Sequence, residues 1–333
     1  MSPTTRPVNA GETSVPAGSR PTADYADLAR QLEATGDFKV LRRFEPAPCY
    51  APLEGVDPQQ LRVAMVVDTE TTGLSKDDDR IIDLGYVLAE FHPRTGLVHR
   101  VLERYSGFED PGRPIPANIT ELTGIRDADV AGQVFDAVRV EAAIARAHLV
   151  IAHNAPFDRG FLEARFPSFM NKWWACSQRE APWQAMMTGS TKLEWLAYRL
   201  GSVFYGAHRA LVDAEVLLYL LTRSGPEART ILSHILERSG RRTYCVWAEH
   251  APFEMKDRLK MDKGYSWSDG TSPQKPIKAW YKAGVEDLAG ELAMLGRDIY
   301  PRAAQVTVDT VTGRERYTDR YLSREKMPVG PAA

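Results

Sequence analysis

The chain has 333 residues, of which 44% are hydrophobic, and a formal net charge of −2 at pH 7. This length suits one large domain or two smaller ones, and the near-neutral charge argues against broad, nonspecific adhesion to nucleic acid. The sequence contains no run of about 18 apolar residues, so we expect no membrane-spanning segment.

The N-terminal part predicts a tail followed by a helical lead-in. Residues 1–22 are rich in Pro, Ser, Thr and Gly and lack the apolar core of a secretory signal, so we expect a disordered tail and a cytoplasmic protein. Residues 23–60 place Tyr25, Leu28 and Leu32 at helical spacing, which predicts a helix and turn packed on the main domain.

The cysteines argue against two common kinds of site. Cys49, Cys176 and Cys245 are an odd number with wide spacing and no Cys-x-x-Cys motif. This pattern is typical neither of a disulfide framework nor of a zinc site. We expect three reduced, packed thiols.

Residues 61–225 carry the pattern of an α/β domain. Apolar runs bounded by turn residues predict strands, and longer amphipathic stretches predict helices. The predicted strands are 61–68, 80–91, 97–105 and 149–153, and the predicted helices are about 133–147, 156–166, 191–200 and 209–222. The first three strands are joined by short turns, which predicts an antiparallel meander. The whole predicts a mixed sheet covered by helices.

Four acids and a histidine stand at the ends of these elements. Asp68 and Glu70 end the first strand at positions i and i+2, so their side chains share one face. Asp158 follows the strand 149–153 and lies in the first turn of a helix, where it can face that pair. Asp213 lies on the 209–222 helix, and His208 precedes it in a loop. We expect all five side chains to converge.

The chemistry of this set indicates a two-metal site. Hard divalent cations such as Mg²⁺ or Mn²⁺ take oxygen ligands, and clustered carboxylates resist joint ionisation unless cations neutralise them. Two such ions about 3.5–4 Å apart assist phosphodiester hydrolysis. The imidazole of His208 can accept a proton near neutral pH, and we assign it as the general base.

Three motifs resemble one family. They are Val-Val-Asp-Thr-Glu-Thr-Thr-Gly-Leu at 66–74, His-Asn-Ala-Pro-Phe-Asp at 153–158 and His-Arg-Ala-Leu-Val-Asp-Ala-Glu at 208–215, with Leu-Thr-Gly-Ile at 122–125 between the first two. Together they resemble the DEDDh group of DnaQ-like 3′→5′ exonucleases over residues 61–225. The resemblance implies a ribonuclease H-like fold. It also implies two divalent cations held by Asp68, Glu70, Asp158 and Asp213, with His208 as the base.

The resemblance further implies a pocket for the 3′-terminal nucleotide. Its lining would comprise Thr71, Gly73, Leu74, Asn154 and Phe157. Structural roles are the alternatives: Gly73 allows a positive-φ turn, Leu74 and Phe157 belong to a core, and Asn154 caps the following helix. Both sets of roles stay open at this point.

An aromatic cluster lies between the second and third motifs. Trp173, Trp174 and Trp183 stand among small and polar residues. They either stack unpaired bases or seal a long loop onto the domain, and we favour the seal.

The C-terminal part predicts a small α+β accessory module over residues 240–320. The predicted elements are strands 243–248, 265–268 and 278–282 and helices 252–261 and 285–299. Residues 241–333 are net basic, whereas residues 1–240 are net acidic. The mixed basic and aromatic residues of the module either bind a single strand or form a core with a solvated face. Residues 321–333 are expected to be a disordered tail.

These features predict a metal-dependent exonuclease. We expect it to release nucleoside 5′-monophosphates from the 3′ ends of single-stranded DNA. Two alternatives remain: an exoribonuclease that trims RNA, and a proofreading or nucleic-acid-binding subunit that attaches to a DNA polymerase or a repair partner. Matched DNA and RNA substrates separate the first alternative, and a polymerase pull-down tests the second.

Overall fold

The computed structural model describes residues 24–271, 275–318, 320 and 323–330. The chain forms two compact units, Met1–Leu41 and Arg42–Ala333. The first unit contains helix α1 (Tyr25–Ala34), which begins after Asp24 because the Asp24 carboxylate accepts hydrogen bonds from the first backbone N–H groups of the helix. The predicted tail over 1–22 lies outside the described residues, and the packing of the lead-in on the main domain stays a prediction.

The second unit contains the remaining elements. Its strands are β1 (Arg42–Arg43), β2 (Arg62–Thr71), β3 (Ile81–Phe91), β4 (Val98–Phe108), β5 (Leu149–Ala152), β6 (Trp173–Cys176), β7 (Val203–Phe204), β8 (Thr243–Ala248), β9 (Ser266–Asp269), β10 (Lys278–Val285), β11 (Ala304–Val311) and β12 (Ser323–Val329). Its helices are α2 (Ala117–Thr123), α3 (Asp127–Val130), α4 (Ala137–Arg146), α5 (Ala155–Arg165), α6 (Ser177–Glu180), α7 (Leu193–Leu196), α8 (Ala210–Leu221), α9 (Ile231–Gly240) and α10 (Leu288–Asp298).

The main sheet is mixed, as predicted. Within the described residues its strand order is β4-β3-β2-β5-β6. Strands β2, β3 and β4 form the predicted antiparallel meander, and β5 and β6 run parallel to β2. The carboxyl ends of β2, β5 and β6 therefore lie along one edge of the sheet, which we call the carboxyl edge. The α/β class is confirmed by this mixed sheet and its helices.

Alternation along β2 divides the buried residues between the two faces of the sheet. Met65 and Val67 belong to the apolar core that contains side chains of α4 and α5. Ala64 and Val66 belong to the opposite core, which contains side chains of α8 and α9. Even-numbered positions of β2 therefore face α8, and this parity places the acids at its end.

The C-terminal part forms a second, antiparallel sheet. Within the described residues its strand order is β12-β11-β8-β10-β9, and α10 packs against it over a core that includes Val246, Leu295 and Val306. This is the predicted small α+β arrangement. The predicted helix over 252–261 is present, as a 3₁₀ helix (Phe253–Met255) followed by a π-helix (Arg258–Asp262).

The expectation of a disordered tail over 321–333 is wrong for Ser323–Val329. These residues form β12, which pairs with β11 along its length. The Arg324 guanidinium donates to both oxygens of the buried Asp309 carboxylate, at 2.7 and 3.0 Å. A cross-strand ion pair thus stabilises a strand whose own composition is polar.

Two further expectations are settled by burial. Trp174 and Trp183 are buried, and their indole N–H groups donate to the carbonyls of Phe169 and Ser177, respectively. The prediction that these two rings seal a loop onto the domain is therefore confirmed. The alternative, that they stack unpaired bases, is wrong. Cys176 and Cys245 are buried as expected, whereas Cys49 is exposed.

Within the described residues, no helix is long and apolar enough to cross a bilayer.

Candidate active site

The end of β2 supplies the first two predicted metal ligands. Asp68 and Glu70 occupy even-numbered positions, so both carboxylates project from the face of the sheet that α8 covers. One carboxylate oxygen each from Asp68, Glu70 and Asp213 lie within 4.8 Å of one another. This spacing allows the three side chains to share a cation.

Helix α8 brings Asp213 to this pair. A Cβ atom at Gly85 of β3 would lie 2.0 Å from the backbone nitrogen of Leu211, so only glycine allows the start of α8 to approach the sheet this closely. The Asp213 carboxylate is buried and accepts hydrogen bonds from the backbone N–H of Arg209, at 3.0 Å, and from the hydroxyl of Tyr205, at 3.1 Å. These donors fix its orientation.

Asp158 approaches from the other face of the sheet. It lies in the first turn of α5, directly beyond the carboxyl end of β5, and is buried. Its Oδ1 accepts hydrogen bonds from both the backbone N–H and the hydroxyl of Thr69, at 3.1 and 2.9 Å. Thr69 stands between Asp68 and Glu70 and faces α5, which ties the helix to the strand that carries the acids.

Burial and mutual repulsion strongly favour the protonated acids. Burial, followed by the charges of Asp158, Asp213 and Glu70, raises the pKa of Asp68 well above its usual range. Burial and the neighbouring acids raise the pKa of Glu70 to about 8, and burial raises the pKa of Asp158 to about 7. Burial also raises the pKa of Asp213. A cluster of hard oxygen donors that resists ionisation suits divalent cations, which restore the charged form.

His208 lies at the rim of this cluster. Its backbone has φ of +64°, a left-handed conformation that is strained for a residue other than glycine. Its side chain is 42% exposed, and Nδ1 lies 4.0 Å from Oε1 of Glu70. The predicted loop position before α8 is confirmed, and the structure brings the imidazole to the predicted ligands.

The residues predicted to bind the terminal nucleotide divide into exposed and packed positions. Leu74 is 87% exposed, so the core interpretation is wrong for it. Asn154 is exposed and precedes α5 without a side-chain capping bond, so the capping interpretation is also wrong. Phe157 is half-buried and packs on Phe161 with ring centroids 5.0 Å apart, which agrees with the core interpretation.

Gly73 is required for a different reason than a positive φ. It does not have a left-handed backbone, but a Cβ atom there would lie 2.5 Å from the Asp79 carboxylate. Asp79 also accepts from the hydroxyl of Thr72 and the backbone N–H of Ser75, and so closes the turn after β2. The hydroxyl of Thr71 donates to the Gly73 carbonyl at 2.5 Å. The acid Asp79 therefore organises the turn that presents Leu74.

Sequence reasoning did not identify Asp83 as part of this site. It lies opposite Glu70 in the β2–β3 pairing and is buried. Its Oδ2 accepts from the Arg209 guanidinium at 3.2 Å and the Ala210 backbone N–H at 3.3 Å. The carboxylate thereby anchors the segment directly after His208. An acid within an otherwise apolar strand was the available signal.

An exposed aromatic pair also escaped notice. Trp195 and Tyr198 are 41% and 36% exposed, with ring centroids 5.3 Å apart. The indole N–H of Trp195 donates to the carbonyl of Thr188, which orients the ring. The neighbouring Glu194 is one of the charges that raise the pKa of Tyr205, the donor to Asp213.

Comparison with known proteins relates the main domain to exonucleases. A family model described as an exonuclease of the RNase T type matches residues 65–221, the segment that holds all the predicted site residues. DNA polymerase III subunit epsilon of Treponema pallidum is 28% identical over 193 residues, which is 56% of this chain and 82% of that protein. A PolC-type DNA polymerase III of Halalkalibacterium halodurans is 31% identical over 186 residues, 51% of this chain and 12% of that protein.

A solved structure also matches the main domain. Exonuclease X in complex with 5′ overhanging duplex DNA shows 22% identity and a TM-score of 0.36, covering 51% of this chain and 99% of that chain. The chain thus spans most of some relatives and a small part of others.

Proposed function

We propose that the segment 65–221 is a DnaQ-like 3′→5′ exonuclease domain of the DEDDh type, and that it removes nucleoside 5′-monophosphates from the 3′ ends of single-stranded DNA in the cytoplasm. The observation that carries this proposal is the meeting of Asp68, Glu70 and Asp213 at one point, with His208 at the rim. Asp158 joins them through its bonds to Thr69.

We propose that Asp68, Glu70, Asp158 and Asp213 hold two divalent cations, Mg²⁺ or Mn²⁺. The donor set fits, because it is composed of carboxylate oxygens and because burial keeps these acids protonated until a bound cation would compensate the negative charge of their ionised form. Such ions, when bound, promote attack by water on the phosphodiester and stabilise the departing 3′ oxygen.

The protein's own groups then orient and move the proton. His208 accepts the proton of the attacking water at an imidazole nitrogen that faces the acids. Asp83 holds Arg209 and the start of α8, which keeps His208 in its left-handed conformation. The half-exposed side chain allows the proton to pass on to solvent.

The surface around the acids suits a single strand. Thr71, Gly73, Leu74, Asn154 and Phe157 surround the ends of β2 and β5, and we propose that they receive the terminal nucleotide. The exposed pair of Trp195 and Tyr198 offers ring faces on which unpaired bases stack. DNA is the proposed substrate because the relatives are named as DNA polymerase III proteins.

The experiment uses a 5′-labelled oligonucleotide. In Mg²⁺ or Mn²⁺ the full chain should produce a descending ladder that Asp68→Ala and His208→Ala abolish. RNA of the same sequence, run beside it, decides between deoxyribonuclease and exoribonuclease. Internal cuts would reject exonuclease action.

A second candidate is a proofreading subunit of a DNA polymerase. The match to subunit epsilon over 82% of that protein favours it. Polymerase retained in a pull-down by the full chain would support it. Full activity of a free monomer, with no polymerase retained, would reject it.

A further inference from the structure

A cleft of about 750 Å³ lies between the exonuclease domain and the C-terminal sheet. One wall comes from the start of α5 and from α6, at Pro156 and Arg179, and the other from β8, β10 and the turn after β11, at Thr243, Gly284 and Tyr317. The family match ends at residue 221, so most of the residues that line this cleft lie outside the matched segment.

The cleft lies along the carboxyl edge, on the same side of the sheet as the predicted metal ligands. Asp68 and Glu70 stand at the end of β2, Pro156 follows β5 and Arg179 follows β6. Neighbouring strands are about 4.8 Å apart, so the ends of β2 and β6 are separated by about 10 Å across the sheet. Ligands of α/β sheets bind beyond the carboxyl ends of the strands. A nucleic-acid strand that runs from the acids toward the end of β6 would enter this cleft.

Four arginines line the cleft, and they differ in whether a carboxylate pairs with the guanidinium group. Arg316 is paired with Glu180 at 2.9 Å, and Arg241 is paired with Glu237 at 2.5 Å. Arg179 and Arg238 have no carboxylate within ion-pair distance among the residues that the structure describes. The lining also includes Glu286 and Glu315, so its four arginines exceed its three glutamates by one charge, and Arg179 and Arg238 are the two arginines without a carboxylate partner among the described residues.

Both uncompensated cations are already held in place. The guanidinium of Arg179 lies 5.6 Å from the centre of the Tyr317 ring, and that of Arg238 donates to the carbonyls of Glu180 and Ala181 at 3.2 and 3.4 Å. Each keeps N–H groups for a ligand, because a guanidinium has five. Guanidinium groups match the oxygens of a phosphate in geometry as well as in charge.

The far wall is fixed to the domain that carries the acids. Arg159, which follows Asp158 in α5, is fully buried and donates to the carbonyls of Arg314 and Arg316 at 2.5 and 2.6 Å. Glu163 pairs with both Arg159 and Arg320, at 2.6 and 2.5 Å. The cleft is thus preformed, with the turn after β11 tied to the helix of Asp158.

We propose that this arginine cleft binds the phosphodiester backbone of the single strand whose 3′ end occupies the exonuclease site. The inference rests on the proposed function and extends it, because it gives the C-terminal sheet a role in holding substrate. The position of the cleft favours nucleic acid over an acidic peptide as its ligand. The cleft lies along the carboxyl edge of the main sheet, where the proposed function places the terminal phosphodiester.

Binding without hydrolysis provides the test. Fluorescence anisotropy of the full chain with fluorescein-labelled oligothymidylate of about 12 nucleotides, in EDTA, measures affinity at several salt concentrations. Arg179→Ala combined with Arg238→Gln should weaken binding by about tenfold or more, and each lost phosphate contact should reduce the salt slope by about 0.7. Arg179→Lys keeps the charge but loses the planar guanidinium, so it should retain more affinity than Arg179→Ala but less than the wild type.

Arg62 offers a matched control. It is exposed, donates to the carbonyls of Gln59 and Leu61, and stands at the amino end of β2, on the opposite edge of the sheet. Arg62→Ala should leave both affinity and salt slope unchanged. The double variant should keep the far-ultraviolet circular dichroism spectrum of the wild type and a cooperative thermal transition, which would report correct folding independently of activity.

The outcomes separate the two proposals. Unchanged affinity and salt slope in the double variant would overturn the cleft proposal, as would an equal loss in Arg62→Ala. A third result would also overturn it: an acidic peptide binds the wild type and loses affinity in the double variant, whereas oligothymidylate binds both proteins equally. A wild-type protein that binds the oligonucleotide through these arginines but yields no ladder in Mg²⁺ or Mn²⁺ would instead reject the exonuclease proposal and keep the cleft.

Discussion

The hydroxyl of Thr69 donates a 2.9 Å hydrogen bond to Oδ1 of Asp158, and the backbone N–H of Thr69 donates to the same oxygen at 3.1 Å. Asp68 and Glu70, on either side of Thr69, face α8, whereas Thr69 faces α5. The β-strand β2 thus contacts or carries acids on both faces of the sheet. The alternation of side chains along β2 is the physical basis of the whole site.

Loss of the Thr69 hydroxyl should impair Asp158 without unfolding the domain. Thr69→Val keeps the shape and the backbone N–H but removes one donor, so we expect kcat/KM to fall by roughly 10–100-fold, as for other groups that orient metal ligands. Thr69→Ser restores the donor and should recover most of the activity. Steady-state hydrolysis of the labelled oligonucleotide measures this, and a fully active Thr69→Val protein would show that Asp158 needs no such support.

His208 should act on the chemical step and not on cation binding. His208→Ala removes the proposed base and is expected to lower kcat by about 10²–10⁴-fold. Mn²⁺ affinity should be nearly unchanged, because the imidazole is not among the proposed ligands. Rapid-quench kinetics and Mn²⁺ titration of the same preparation separate the two effects. A large loss of Mn²⁺ affinity would reassign His208 as a ligand.

The acidic cluster should make the metal-free protein less stable as the pH rises. The folded-state pKa of Glu70 is raised to about 8, whereas an unfolded Glu titrates near 4.3, so the folded protein binds more protons between these values. Stability contributed by this group is therefore lost as the pH rises from about 4 through about 8. Burial, the first cause, and the neighbouring acids produce the effect.

Glu70→Gln isolates that contribution. In the metal-free protein the variant should have a higher Tm than the wild type, and the difference should be larger at about pH 8 than at about pH 5.5. Each kcal/mol relieved corresponds to roughly 2–4 °C for a chain of this size class. Excess Mn²⁺ should reverse the order by stabilising the wild type more strongly. A Tm difference independent of pH in differential scanning calorimetry would contradict the assigned cause.

Trp195 should contribute to binding of single strands. Trp195→Ala removes the ring that is exposed beside Glu194, and base stacking is worth about 1–3 kcal/mol per base, so the Kd for oligothymidylate should rise by roughly 5–150-fold. Trp195→Phe should retain part of the affinity. Trp267, which is 51% exposed on β9, provides the control, since Trp267→Ala should bind as the wild type does. Equal losses in both variants would indicate that the Trp195 ring has no specific role.

Local patterns predicted the site better than they predicted its surroundings. Asp68, Glu70 and Asp158 were accessible to sequence reasoning because strand alternation and the first turn of a helix determine where their side chains point. Asp83 was not, because its partners Arg209 and Ala210 come from a distant segment. The strand β12 escaped for the same reason, since Arg324 is stabilised by Asp309 of another strand. Properties that depend on a distant partner are not encoded in the local pattern.

Titration of Mn²⁺ into the full metal-free chain, followed by electron paramagnetic resonance, tests the central claim most directly. We predict two bound ions per chain, with affinity rising as the pH rises because bound cations displace protons from the acids. Asp213→Asn should reduce the number bound or weaken binding by at least about tenfold. Failure of the wild type to bind Mn²⁺ at millimolar concentration, or binding that Asp213→Asn and Asp68→Asn leave unchanged, would contradict the account.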